Sequence, residues 1–509
     1  MTRGGLARPV AIAALAISAI LIAFPAALGP VRLNDSFWID LVWLDQFARE
    51  LASGTLYPRW LSLSHAGLGS PVFYYYPPLA FYLGSAFVFA GLGTFGALVA
   101  AFAAATLLSG IGVYLWLEGQ TRAPLAGALL YMIAPYQLFD FYQRGAIAEF
   151  LAAGMMPFVL MGIRRIVEER HGAIPVAALA YAALIMSHLP LALLASLFLI
   201  GPYGLMIARK SPHMLAKIGA ALALGVALSA IYLFPALLLE HYRSSGDLWG
   251  LTTLQPATWS VWNKLAWRDQ TYRSVLLVTG ALLVPAAVLA VRERSAWSIL
   301  ALVCIAAALG VLPAIWSLPV LRSVQFPFRL LPVAELAFVT AAMLAPKGRA
   351  PLPIAFVAFA LMGAFIVAAK PESAAFGDRV MREVHPDVPE NLPPGNRPYS
   401  WPSKWALEIA ARHQMPHFDG KVTIEPVFYF PSWEVRCNGR AVRTFPDPST
   451  KLLSYEGRGC SRELVRTVPE RTGLFVSLAA LLVLLSLVPL SWSLGRRRSH
   501  RRGNRPRST

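Results

Sequence analysis

Apolar residues in this chain come in long uninterrupted blocks, among them Val10–Leu28, Ile174–Met186, Ile218–Leu239 and Leu474–Leu490. Each is near the length an α-helix needs to cross a hydrocarbon core of roughly 30 Å. The apolar–polar alternation that would mark a transmembrane barrel is not the dominant pattern. The blocks predict an all-α polytopic membrane bundle. Spans fall at about 9–29, 95–117, 124–139, 147–163, 174–188, 190–208, 217–239, 276–291, 296–313, 328–345, 351–369 and 472–494, about twelve transmembrane helices in all. Between the first two spans lies an external loop, 30–76, in which Phe37, Leu41, Leu44, Ala48 and Leu51 recur at helical spacing. That spacing predicts an amphipathic helix over 37–53, opened by Asn34-Asp35-Ser36 and closed by Gly54.

Residues 370–471 break the apolar pattern and read as a separate, mainly-β domain. After the proline-rich run His385–Gly395 a short helix is expected at Lys404–Arg412. Strands are expected at Val422–Phe430, Trp433–Arg436, Lys451–Tyr455 and Glu463–Val468, with Asn438-Gly439 as a hairpin turn. The domain layout is therefore a bundle over 1–369, the β-rich domain over 370–471, a last span at 472–494 and a basic tail over 495–509.

Charge fixes the expected orientation. Only 14% of residues are charged while 57% are hydrophobic, against about 25% charged in soluble domains. The net charge of +18 does not point to nucleic acid, because the basic residues sit in short clusters between apolar blocks: Arg164-Arg165, Arg209-Lys210, Arg292–Arg294, Lys347–Arg349 and Arg496–Arg507. Cytoplasmic loops carry that pattern. All clusters fall on one side if Pro77–Gly93 dips into the membrane rather than crossing it. Both termini are then cytoplasmic, the first helix is an uncleaved span and 370–471 is extracytoplasmic. The chain is expected in a bacterial inner membrane.

No phosphate-binding loop, dinucleotide fingerprint, paired-cysteine motif or zinc-protease motif is present. The chemistry-bearing residues are ionisable groups at the outer mouths of apolar helices, where a charge needs a partner or a wet cavity. Asp40 falls inside the apolar stripe of the loop helix, flanked by Leu44 and Phe47, whereas Asp45 and Arg49 form an i,i+4 pair on its polar side. Aromatic and proline residues follow, from Tyr57-Pro-Arg59-Trp60 to Phe73–Pro78, as an interfacial belt or the wall of a sugar or lipid groove. Arg144 and Glu149 lie together in the turn between two spans. His188 ends a span, as a structural cap or a site residue. Arg329 begins another and either grips a phosphate or pairs with a carboxylate such as Glu335. Cys437 and Cys460 share an oxidising compartment and are expected to form a disulfide. Cys304, inside a span, reads as apolar filler.

The acidic first loop, its helix and Pro58-Arg59-Trp60 resemble the GT-C superfamily of membrane glycosyltransferases. More closely, Gly67-Leu-Gly-Ser-Pro71, Tyr76-Pro-Pro78, Ala134-Pro-Tyr136, Arg144-Gly-Ala146, Ala148-Glu149, His188, Phe326-Pro-Phe-Arg329 and the later Phe428–Trp433 with Asn438-Gly439 resemble a bacterial membrane family. Its members are labelled "6-pyruvoyl-tetrahydropterin synthase related" and are similar to the YfhO-like proteins. The resemblance implies a polyprenyl-phosphate-linked sugar as donor, with a glycan, lipid or protein as acceptor. A carboxylate, Asp35 or Asp40, would take the acceptor proton. Arg329, with Arg59, Arg144, Glu149 and His188, would line the substrate and phosphate site. A divalent metal, Mg or Mn, is a further cofactor found in parts of the superfamily. Relatives often carry His-Asp and then a His, where this chain has Asn34-Asp35 and then Asp40, so either acid is a candidate base. A lipid or polysaccharide transporter without chemistry is the alternative class, and an external scaffold is a third. Inverted repeats, which would favour transport, are not evident.

Overall fold

The computed structural model describes residues 8–28, 36–244, 255–345, 351–368, 385–395 and 403–503. Seven helices in it have the length and apolar composition to cross a membrane. They are α1 (Arg8–Ala27), α3 (Thr94–Leu117), α4 (Ile147–Val167), α5 (Leu189–Ala208), α6 (Gln270–Glu293), α7 (Pro327–Leu344) and α8, which runs Val468–Gly503 and crosses over Val468–Leu487. Pro212–Leu228 and Ala230–Leu238 pass the same test together as a pair bent by 69°, an eighth crossing when counted as one broken span.

The remaining blocks of the expected twelve are helical but short or broken. Ala173–Ser187 has 15 residues and Ala296–Ala308 has 13, about 22 and 20 Å of helix. Pro351–Ala368 has 18 residues. The block at 124–139 splits into Pro124–Met132 and Pro135–Phe139, because Pro135 cannot donate to the preceding turn. A span count near twelve thus exceeds what helix length alone supports among the described residues. Pro77–Gly93 contains one helix, Leu79–Phe89, of 11 residues, about 16 Å.

The loop helix α2 spans Ser36–Ala52. Its expected apolar face is covered, and the burial extends further around the helix than that face alone. Phe37, Ile39, Val42, Trp43, Leu44, Phe47 and Ala48 are all buried, and so are Asp40 and Gln46. The short helix Leu79–Phe89 packs so closely that a Cβ on Gly84 would lie 2.8 Å from Leu44. Only the stripe with Asp45 and Arg49 keeps solvent, and these two pair at 2.8 Å.

The C-terminal region is two antiparallel sheets in the orders β1-β2-β6-β5 and β4-β3-β7. The strands are β1 (His417–Phe418), β2 (Val422–Phe428), β3 (Trp433–Cys437), β4 (Arg440–Val442), β5 (Thr444–Pro446), β6 (Leu452–Glu456) and β7 (Ser461–Leu464). The β3–β4 hairpin turns at Asn438 (φ 50°) and Gly439 (φ 79°), a pair of positive φ values that asparagine and glycine tolerate. Cys437 and Cys460 are disulfide-bonded. The expected last strand at Glu463–Val468 is displaced, because Val468 opens α8. Thr467 and Glu470 form a reciprocal capping box there, Thr467 N donating to Glu470 Oε2 at 2.7 Å and Glu470 N to Thr467 Oγ1 at 3.4 Å.

This β region shares a core with the first loop. Trp60 meets Trp433 edge-on at 5.4 Å, Tyr74 meets Phe430 at 4.5 Å, and Phe428 N donates to Leu68 O at 2.8 Å. The aromatic run is therefore neither a lipid belt nor a groove wall at Trp60, Tyr74 and Tyr75. It is buried protein interior, because the C-terminal region folds back onto it.

Candidate functional site

A turn between two broken helices builds the centre of the site. Asp140–Arg144 winds as a single wide turn that places Asp140 and Arg144 four residues apart on one side. Gly145 ends it in the left-handed region (φ 62°, ψ 22°). Glycine is required there twice over, since a Cβ would also sit 2.3 Å from Phe37 Cβ. Glu149 then lies in the first turn of α4, where the helix dipole favours a negative charge.

Arg144 Nη1 reaches Asp140 Oδ1 at 2.7 Å, Glu149 Oε2 at 2.8 Å and Tyr136 Oη at 2.9 Å. Tyr136 donates its own proton to Glu149 Oε1 at 2.8 Å. Arg329, held at the start of α7 by the turn at Pro327, places Nε 3.1 Å from Glu149 Oε2. Its Nη1 donates to Val324 O at 2.7 Å and Gln325 Oε1 at 3.2 Å. The carboxylate partner of Arg329 is thus Glu149. Glu335, the alternative considered from sequence, instead accepts the backbone N–H of Tyr136 at 2.6 Å. Nη2 of both Arg144 and Arg329 takes no hydrogen bond among the described residues.

His188 breaks the chain between Ala173–Ser187 and α5 with extended backbone (φ −157°, ψ 107°). Its Nδ1 accepts the Leu191 N–H at 3.2 Å, so a neutral ring carries its proton on Nε2, 4.0 Å from Glu149 Oε2. His188 is therefore both a cap and a neighbour of the ionic cluster.

Asp40 is buried on the side of α2 that carries Trp43, Leu44 and Phe47. Tyr76 packs edge-on against Trp43 of that side, ring centroids 4.8 Å apart. Burial pushes the Tyr76 phenol well above its usual range; Asp40 adds to that push, Arg329 opposes it, and Glu149 and Arg144 act on it as well. Asp35 lies outside the described residues.

Arg59 is not in this cluster. Its Nε lies 3.1 Å from Glu470 Oε1, Nη2 donates to Ile231 O at 2.6 Å, and its guanidinium lies 3.8 Å from the Tyr57 ring centroid. It ties the loop to α8 instead of facing the other arginines. Tyr136 and Asp140 are the members that charge-pattern reading passed over. Two signals pointed to them: the i,i+4 relation of Asp140 to Arg144, and the Ala134-Pro-Tyr136 motif. No group of three His, Cys, Asp or Glu suited to a metal occurs among the described residues. Asp140 and Glu149 already accept from guanidinium groups, a donor set that does not fit Mg or Mn.

Helices of spanning length around a buried ionic cluster, with a β region packed on the first loop, define a polytopic membrane protein. Residues 73–374 match the model of the 6-pyruvoyl-tetrahydropterin synthase related domain, a membrane protein family, and the chain belongs to that family. Cryo-EM structures of the arabinofuranosyltransferase AftD from Mycobacteria are similar at 17% identity with a TM-score of 0.44, covering 74% of this chain and 27% of that one. A mutant form of AftD gives 16% and 0.47, covering 73% and 29%. The chain thus spans under a third of those proteins' length. The comparison with curated proteins found no match.

Proposed function

We propose that this chain is a membrane glycosyltransferase of the GT-C type. It moves a sugar from a polyprenyl-phosphate donor to a cell-envelope acceptor at the extracytoplasmic face of a bacterial inner membrane. The observation that carries the reading is the pair Arg144 and Arg329, both anchored on Glu149, each with an Nη2 left over among the described residues. Anchored guanidinium groups with spare donors suit an anionic phosphate, and Glu149 keeps two buried positive charges together without one. In the reaction an acceptor hydroxyl attacks the sugar's anomeric carbon. The bond from that carbon to the phosphate oxygen breaks, the polyprenyl phosphate leaves against the arginines, and the acceptor proton passes to a first-loop carboxylate. Asp35 is the first candidate for that base. Asp40, further along α2 and buried beside Trp43 and Leu44, orients the acceptor or serves in its place. No step is routed through a metal.

Membranes containing the protein, supplied with labelled polyprenyl-phosphate sugars, should yield a labelled product identifiable by mass. Asparagine serves at helix starts about as well as aspartate does, so Asp35→Asn should retain stability while transfer falls at least a hundredfold, in keeping with general base catalysis. Full activity in that variant removes Asp35 and moves the test to Asp40→Asn. Redistribution of the labelled lipid across the membrane without product would favour the transporter instead.

A further inference from the structure

On the side of α2 turned away from Asp40 lies a cavity of about 540 Å³. Trp38, Leu41, Val42, Asp45 and Arg49 line it from α2. Successive residues turn by about 100° around a helix, so Val42 lies roughly 200° from Asp40 and the two sites share only the helix between them. The opposite wall is the start of α3, Gly93–Gly96, and Leu63 and His385 complete the rim. We propose that this cavity is a binding subsite for neutral sugar residues of a glycan.

Four features specify that ligand class. The Trp38 indole N–H is shielded from solvent and takes no partner among the described residues. A buried unpaired donor is costly, and a ligand oxygen would relieve it once the indole turns toward the cavity. Asp45 and Arg49 already neutralise each other, with Thr94 Oγ1 donating to Asp45 Oδ1 at 3.2 Å. The wall therefore offers donors and acceptors with little net charge, which matches hydroxyl groups better than an ion. Trp38 and Phe95 supply aromatic surface for the apolar C–H faces of a sugar ring. Cβ atoms on Gly93 and Gly96 would meet at most Leu92 Cβ, at 4.0 Å. Two side-chain-free positions thus leave room at the start of α3. Its volume lies within the roughly 300–1,000 Å³ range of small-molecule sites.

The glycan is called an acceptor only on the strength of the transfer reading; binding does not need it. The full-length protein in lipid nanodiscs can be titrated with neutral pentose and hexose disaccharides, with saturation-transfer NMR and calorimetry as readouts and no lipid-linked donor present. At least one disaccharide should bind. Trp38→Phe, which keeps the ring and removes the N–H, should weaken it about tenfold, the size expected for one well-made hydrogen bond. Gly96→Phe, which fills the cavity from a helical position, should abolish binding while leaving thermal stability within the wild-type range. Absence of binding across the panel, or binding unchanged in both Trp38→Phe and Gly96→Phe, overturns the assignment. Binding that responds to these variants in a protein with no transferase activity keeps the subsite and rejects the enzyme.

Discussion

Arg329 spends one guanidinium edge on Glu149 and another N–H on backbone and Gln325. What remains is a directional donor, which a lysine ammonium at the same position would not reproduce. Arg329→Lys should therefore raise KM for the lipid-linked donor about tenfold or more, and Arg329→Ala should lower transfer further. Equal activity in the two variants would show that the residue does not grip phosphate. A second residue-scale test lies away from the cluster. Asp387 is fully buried, and although Trp43, Val388 and Asn391 donate to its Oδ1, burial raises its carboxyl from 3.8 to about 6. The folded state then holds the proton more tightly than the unfolded chain does. Stability from this group is complete below about pH 4 and declines as the pH rises to about 6, by about 3 kcal/mol in all. Asp387→Asn should flatten that slope, and denaturation profiles between pH 4 and 7 that match in both proteins would refute the assignment. The Arg144–Glu149 pairing was legible from spacing alone, because a charged turn between two apolar blocks leaves few partners. The role of Asp387 was not, since its partner Trp43 is more than three hundred positions away and no local pattern records such a contact.

Among the elements, Leu79–Phe89 bears most on topology. About 16 Å of helix falls well short of a roughly 30 Å hydrocarbon core, in line with an element that enters the membrane region without traversing it. Cysteines introduced at Gln120 and Gly172 should then stay shielded from an impermeant thiol reagent in intact cells and react after permeabilisation. Labelling of both from outside would reverse the orientation of everything between. The short helix Lys404–Arg412 and the hairpin at Asn438-Gly439 were readable because local chemistry decides them: a capping serine at Ser403, and two residues that accept positive φ. The strand expected at Glu463–Val468 failed for a reason also present in the sequence. Thr467-Val-Pro-Glu470 is a helix-opening signature that outweighs the β-branched residues around it. The broken helices at Pro124–Phe139 and the bend near Ser229 were less legible, because apolar composition alone does not record where a span kinks.

At the scale of the whole molecule, one ion pair joins distant parts of the chain. Arg59, in the loop after the first span, meets Glu470, at the start of α8, and both side chains are less than a tenth exposed. Tyr74 adds a hydrogen bond to the same carboxylate at 3.4 Å. Removing one partner strands the other charge in the interior, so Glu470→Gln should destabilise the protein by about 3–5 kcal/mol. Replacing both residues with methionine should recover much of that loss. A single variant as stable as wild type in a thermal unfolding assay would mean that water reaches Arg59. The pair also carries a consequence for biogenesis. A ribosome delivers Arg59 early and Glu470 only after nearly all the intervening spans have been made, so throughout synthesis the loop holds an arginine whose counter-charge does not yet exist. The aromatic residues that later pack on Phe430 and Trp433 wait with it. Closure of this contact is therefore a late event set by the order of synthesis, and a chain halted before α8 would present to membrane quality control the charge that the finished protein conceals.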